Sequence, residues 1–131
     1  MLSEDNRRDI IKFRIEKAHN VFEEAKEVAA LKRWNLAGNR LYYSVYHLGS
    51  ALLFSKGISA KSHSGVIHQL GETFIKTDIL PKEYGKLIAR LFALRQSGDY
   101  DDMFYATEEI VMPLFDKVEK LLTDLEQLIE V

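Results

Sequence analysis

The sequence predicts an all-α fold, an antiparallel bundle of four to five helices, and three observations predict it. Apolar residues recur at spacings of three and four along almost the whole chain. No stretch of useful length alternates apolar and polar side chains as a half-buried strand would. Only two prolines and seven glycines interrupt 131 residues, too few to break long helices into fragments. A chain of this length, without a repeat, low-complexity tract or flexible linker, reads as a single helical domain over residues 1–131.

The elements follow in order. Ile11, Ile15, Ala18, Phe22, Ala25 and Ala29 alternate four and three apart, which predicts a first helix from about Glu4 to Leu31. Arg33-Trp34-Asn35 is a short joint. The second helix is expected from about Asn35 to Lys56, stopping at Gly57. It is apolar on nearly every side, so it should be the central helix, covered by its neighbours or by a partner chain. After a loop over 58–61, Ser62 or Ser64 should cap a third helix that carries Val66, Ile67, Leu70, Phe74 and Ile75 and ends near Thr77-Asp78. Pro81 suits the first turn of a fourth helix, where its missing N–H has no partner to lose. That helix carries Tyr84, Leu87, Ile88, Leu91, Phe92 and Leu94 and is expected to stop at Ser97-Gly98, with Asp99 to Phe104 as a loop. Thr107, Glu108 and Glu109 then start the last helix, with negative charge at its positive end. Pro113 should kink or restart it before the seam of Leu114, Val118, Leu121, Leu125 and Leu128.

Composition narrows the function. With no Cys, neither a disulfide framework nor a thiolate metal site is available, which suits a reducing cytoplasm. The N-terminal residues lack the apolar core of a signal peptide, and no apolar run reaches membrane-spanning length, so a cytoplasmic protein is expected. A net charge of −2 argues against broad, nonspecific nucleic-acid binding but leaves room for a local basic pocket. No His pair stands at ligand spacing on a helix, so no metal and no cofactor are expected. Phosphate-binding Gly loops and dinucleotide fingerprints are absent from the sequence.

Three constellations carry candidate chemistry. The first lies within Asn39-Arg40-Leu41-Tyr42-Tyr43-Ser44-Val45-Tyr46-His47. On a helix, seven residues turn through about 700°, which puts Arg40 and His47 within roughly 20° of one face and about 10 Å apart along the axis, with Tyr43 between them. Cleavage of RNA by its own 2′-hydroxyl needs a proton carrier and positive charge on the phosphorane-like transition state. His47 fits the first role and Arg40 the second. The same residues also fit a structural role, with Arg40 paired to an acid such as Asp99 and His47 bonded to a carbonyl. The second constellation, Lys61-Ser62-His63-Ser64-Gly65-Val66, places Lys61, His63 and two hydroxyls at a helix N-terminus, where anions bind or a cap forms. In the third, Arg95, Asp99 and Tyr100 close the fourth helix, and an Arg95–Asp99 bridge could also hold Arg40 in place. His68 shares no face with His63, His19 lies beside Ala18 close to the buried stripe of the first helix, and Glu23-Glu24, Asp101-Asp102 and Glu108-Glu109 read as exposed charge.

Together these stretches resemble the HEPN family (higher eukaryote and prokaryote nucleotide-binding domain), whose hallmark is an Arg and then a His on a central helix. The likeness extends to small stand-alone prokaryotic members through four elements in order: Arg40-Leu41-Tyr42-Tyr43, Ala51-Leu52-Leu53, the set Lys61, His63, Gly65 and Val66, and the set Arg95, Asp99 and Tyr100. They span about Leu36 to Tyr100. The resemblance implies a four- or five-helix bundle that forms a homodimer, with the Arg–His motifs of two chains meeting in one cleft. It implies a metal-independent endoribonuclease of the toxin or defence type, sometimes restrained by a small nucleotidyltransferase acting as antitoxin. Arg40 would then stabilise the phosphate and His47 move the proton, leaving a 2′,3′-cyclic phosphate. Asn39, Tyr43, Lys61, His63, Arg95, Asp99 and Tyr100 are the expected supporting or substrate-binding residues. An alternative is a non-catalytic module that binds a nucleotide or a nucleotidyltransferase partner, favoured by Leu41 where active members carry a polar residue. A third is a helical interaction protein whose Arg and His serve structure alone.

Overall fold

The computed structural model describes residues 3–131. Five α-helices follow one another: α1 (Glu4–Ala30), α2 (Trp34–Ser55), α3 (His63–Leu70), α4 (Lys82–Tyr100) and α5 (Glu108–Gln127). No strand occurs among the described residues, so the all-α bundle expected from the spacing is the fold.

Side-chain caps set three of the starts. Ser3 accepts from the Asn6 amide at 3.1 Å, Ser62 from Gly65 at 3.0 Å and Thr107 from Ile110 at 3.4 Å. Glu4 and Asp5, and later Glu108 and Glu109, put negative charge on the free amides of their first turns. At the end of α1 the Arg33 amide reaches back to the Val28 carbonyl at 3.0 Å, with Lys32 in the left-handed region at φ 61°. Past α2 the same region falls to Gly57, at φ 74°, where a glycine adopts it without strain.

Helix α2 is the axis of the bundle and packs against α1, α3, α4 and α5. Its Leu41, Leu48, Ala51 and Leu52 are wholly buried, as are Ile11 and Ala18 of α1, Leu91 of α4 and Leu121 of α5. Two glycines let neighbours come close. A Cβ on Gly49 would lie 2.6 Å from Leu70 Cδ1, and one on Gly38 would lie 2.9 Å from Leu94 Cδ2. The long central helix expected from its all-round apolarity is therefore placed where burial requires it.

Three boundaries differ from the sequence expectation. Helix α4 does not stop at Ser97-Gly98 but runs one turn further, so Asp99 and Tyr100 are helical and the loop begins at Asp101. The extra turn is held by side chains: Arg95 Nε lies 3.2 Å from Asp99 Oδ2, one turn on, and the Arg95 guanidinium lies over the Tyr100 ring at 5.4 Å. Pro113 does not restart α5, which is continuous through it. Both Pro113 and Glu109, whose carbonyl loses its usual donor, are exposed, so water can bond that carbonyl. The third helix leaves α geometry at Leu70 and continues as a π turn, Gly71–Ile75, closed by Lys76 N–H to Gly71 C=O at 2.8 Å. Pro81 stands just before the first turn of α4, as its N-cap.

Candidate functional site

The 3.6-residue period divides the Asn39–His47 segment into two sides. Leu41, Tyr42, Ser44 and Val45 are buried, while Asn39, Arg40, Tyr43, Tyr46 and His47 are only partly covered. The position after Arg40 is therefore a core position, filled by Leu41 with no exposed surface. The last turns of α4 frame one end of the partly covered side, and the start of α3 frames the other.

Arg40 is held from two directions. Its Nε and Nη2 donate to Asn39 Oδ1 at 3.1 and 2.8 Å, and its Nη1 lies 3.4 Å from Glu24 Oε1 on α1. A guanidinium has five N–H groups, so one N–H on each terminal nitrogen is left for a ligand. Asn39 is itself aimed by Asp99, to which its Nδ2 donates at 3.1 and 3.3 Å. Asp99 thus reaches Arg40 through an intervening amide rather than by a direct pair. The expected Arg95–Asp99 bridge is present as well. Arg95 also donates to the Tyr43 hydroxyl at 2.9 Å, and its guanidinium lies 5.5 Å from that ring. One acid on α4 therefore orients two arginines and, through Arg95, the phenol between Arg40 and His47.

Tyr43 is the spacer that the helical stripe requires. The Arg40 guanidinium sits 5.5 Å from its ring centre, and the His47 ring is 6.1 Å away. His63, the first residue of α3, packs onto the same cluster, with its ring 4.3 Å from Tyr46 and 5.3 Å from Tyr43. Arg40, Tyr43, His47, His63, Arg95, Asp99 and Asn39 are thus brought together, and Tyr100 joins through Arg95. Lys61 is exposed in the loop before α3. His19 pairs instead with Glu126 on α5, at 2.5 Å, and His68 is exposed. Among the described residues no group of His, Asp and Glu is placed to hold a metal ion.

The electrostatics single out His47. Its pKa is pushed down from 6.5 to about 4, first by burial and then by Lys17, Arg40, His63 and Arg14, and no hydrogen bond offsets these effects. Among the described residues no carbonyl bonds the His47 ring, as a purely structural role would require, and the imidazole is neutral at pH 7. Its ring borders an open groove of about 630 Å³ between α1 and α2. Tyr42, beneath the site, is 1% exposed, and among the described residues its hydroxyl has no hydrogen-bond partner. Burial pushes its pKa up to about 12 against the pull of Arg95, so it stays a neutral phenol.

Sequence reasoning did not find Glu24, Arg14 or Lys17, all of which come from α1. Helical periodicity places them on a solvated face, and only the packing of α1 on α2 brings them to Arg40 and His47. One signal was available: Phe13 stands off the apolar stripe of α1, and it is 63% exposed.

The HEPN domain profile matches residues 11–128. This chain belongs to the HEPN family. A UPF0332 protein of Thermotoga maritima is 37% identical over 121 residues, 92% of each chain. Two Methanocaldococcus jannaschii proteins named as candidate toxins are also similar. One is 37% identical over 87 residues, covering 66% of this chain and 59% of the relative. The other is 33% identical over 100 residues, covering 76% and 74%. The HEPN resemblance drawn from Arg40 to Tyr100 is thereby shown at the level of family. Among the described residues no helix is long and apolar enough to cross a membrane.

Proposed function

We propose that this HEPN protein is a metal-independent endoribonuclease, with Arg40 and His47 as its catalytic residues and a role of the toxin or defence type. One observation carries the reading: a neutral imidazole and a guanidinium with free N–H groups flank one tyrosine on the open side of α2. Neutral His47 accepts the proton of a 2′-hydroxyl as that oxygen attacks the adjacent phosphorus. Arg40 donates its two remaining N–H groups to the equatorial oxygens, where negative charge builds. The bond to the 5′-oxygen breaks, that oxygen takes a proton, and a 2′,3′-cyclic phosphate is left. One imidazole cannot act as base and acid in the same step. The imidazole of a second chain would be neutral too, so water in the open groove supplies the proton to the 5′-oxygen, and the homodimer, with two motifs sharing a cleft, is part of the proposal through the HEPN resemblance. The names of the Methanocaldococcus relatives support the toxin role. A nucleotidyltransferase encoded beside such a protein would be the natural antitoxin.

The test is cleavage of single-stranded RNA by the purified protein. Cleavage should yield cyclic phosphate ends, persist in a metal chelator, and stop when the 2′-hydroxyl at the scissile position is replaced by hydrogen. Cleavage undiminished in His47→Ala removes His47 as the proton carrier. One observation favours the non-cleaving alternative: Asn39 and Glu24 already occupy three of the five donors of Arg40. In that case nucleotide binding, measured by calorimetry, should depend on Arg40 while no RNA is cut.

A further inference from the structure

The groove that His47 borders is more than an opening. Its walls are Phe13, Arg14 and Lys17 of α1 and Tyr46, His47 and Ser50 of α2. Arg14 donates to the Ser50 hydroxyl at 3.2 Å, and its guanidinium lies 4.8 Å from the Phe54 ring, which fixes the cation on the groove wall. Lys17 is exposed. Among the described residues neither Arg14 nor Lys17 has a carboxylate partner, and both line the groove at His47 and act on its imidazole. Unpaired cations beside an exposed aromatic ring are the elements with which proteins hold single-stranded nucleic acid: the cations track the phosphates and the ring stacks a base. The groove also contains one acid, Asp9. It lies two turns before Lys17 on α1, about 12 Å along the axis, so the positive end of the groove is the end near His47.

We infer that this groove is the subsite for the nucleotide next to the scissile phosphate, with a base stacked on Phe13 and a phosphate held by Lys17 and Arg14. The inference rests on the nuclease reading for its choice of ligand, but binding here does not require cleavage. Charge complementarity sets the occupant: an anionic, flexible, base-bearing strand satisfies Lys17, Arg14 and Phe13 at once. Asp9 repels a phosphate at the far end, which favours a phosphate at the end near His47. Lys17 also belongs to the catalytic environment, since it contributes to keeping His47 unprotonated.

The experiment measures binding of a short single-stranded RNA, 2′-O-methylated so that it cannot be cut, by fluorescence anisotropy across a salt series. The proteins are the full chain and its Lys17→Gln, Phe13→Ala and Lys120→Gln variants. Lys120 lies in the groove between α4 and α5 and controls for loss of charge. Lys17→Gln should flatten the plot of log affinity against log salt by about 0.7, the value of one phosphate contact on a single strand. Phe13→Ala should weaken binding about fivefold or more with the slope unchanged. Lys120→Gln should change neither. Binding by Lys17→Gln and Phe13→Ala equal to wild type overturns the inference, even if the wild type cleaves RNA. The same dependence on Lys17 and Phe13 without any cleavage upholds the groove as a single-strand binding site and sinks the nuclease. Sedimentation of the same variants gives the third outcome. If Phe13→Ala separates copies of the chain while RNA affinity is kept, the groove belongs to a second protomer and the inference fails.

Discussion

Lowering the pH from 7 to 5 should weaken the fold through His47, and His47→Gln should remove that part of the loss. In the folded protein the imidazole pKa lies at about 4 against the ordinary 6.5. Between these values the unfolded chain binds more protons than the native one. The stability contributed by a neutral His47 is therefore complete above pH 6.5 and is lost as the pH falls towards 4. At about 1.4 kcal/mol per pKa unit, the step from pH 7 to pH 5 would cost about 2 kcal/mol for a fully shielded ring. His47 borders an open groove, and screening by water there reduces the effect to about 1 kcal/mol. For a domain of this size that is a fall in Tm of about 3–5 °C. Urea unfolding of both proteins at the two pH values measures the effect, with equal m-values confirming a common unfolding transition. His19 and His68, far from the site, remain in both and cancel in the difference. Equal pH dependence in wild type and His47→Gln would falsify the claim that burial and the surrounding cations hold this imidazole neutral.

Four further outcomes are expected. The acidic limb of kcat/KM for RNA cleavage should fall near pH 4 rather than pH 6.5, because the base loses its function only when His47 is protonated; a limb centred at 6.5 would assign the base elsewhere. Asp99→Ala should destabilise the fold by about 1–3 kcal/mol, since the largely buried Arg95 loses its carboxylate, and should lower activity through Asn39 and Arg40. Exposed Asp101→Ala, measured beside it, should do neither. Glu24→Ala should tighten the binding of a nucleotide or inorganic phosphate about twofold to fivefold by releasing one donor of Arg40, a gain readable by calorimetry. Pro113→Ala should raise stability by about 1 kcal/mol, because it restores a helical hydrogen bond to the Glu109 carbonyl on an exposed face. An unchanged or lower Tm would show that Pro113 contributes packing or stiffens the unfolded chain more than it costs.

The helices and their order were legible because they depend on local quantities: apolar period, capping hydroxyls and Gly57. Ser62, Thr107 and the central position of α2 follow from residues within a turn or two. The misplaced end of α4 shows where local reasoning fails. Ser97-Gly98 has the chemistry of a stop, but the Arg95–Asp99 and Arg95–Tyr100 contacts one turn on outweigh a weak propensity. The π turn after Leu70 left no mark in a sequence whose apolar spacing is compatible with an α-helix. At the site, the stripe of Arg40, Tyr43 and His47 came from the helical period alone. The amide of Asn39 between Asp99 and Arg40, the ring of His63 on Tyr46 and the cations of α1 around His47 join residues far apart in sequence. Only the fold could supply them.

The relay from Asp99 through Asn39 to Arg40 has a practical consequence for protein engineers. Residues 39–47 transplanted onto a foreign helix would carry the arginine without its aim, since the carboxylate that steers it arrives from another helix. The smallest portable unit is a pair of crossed helices, and a truncation that trims the tail of the second would blunt the first while leaving its sequence untouched.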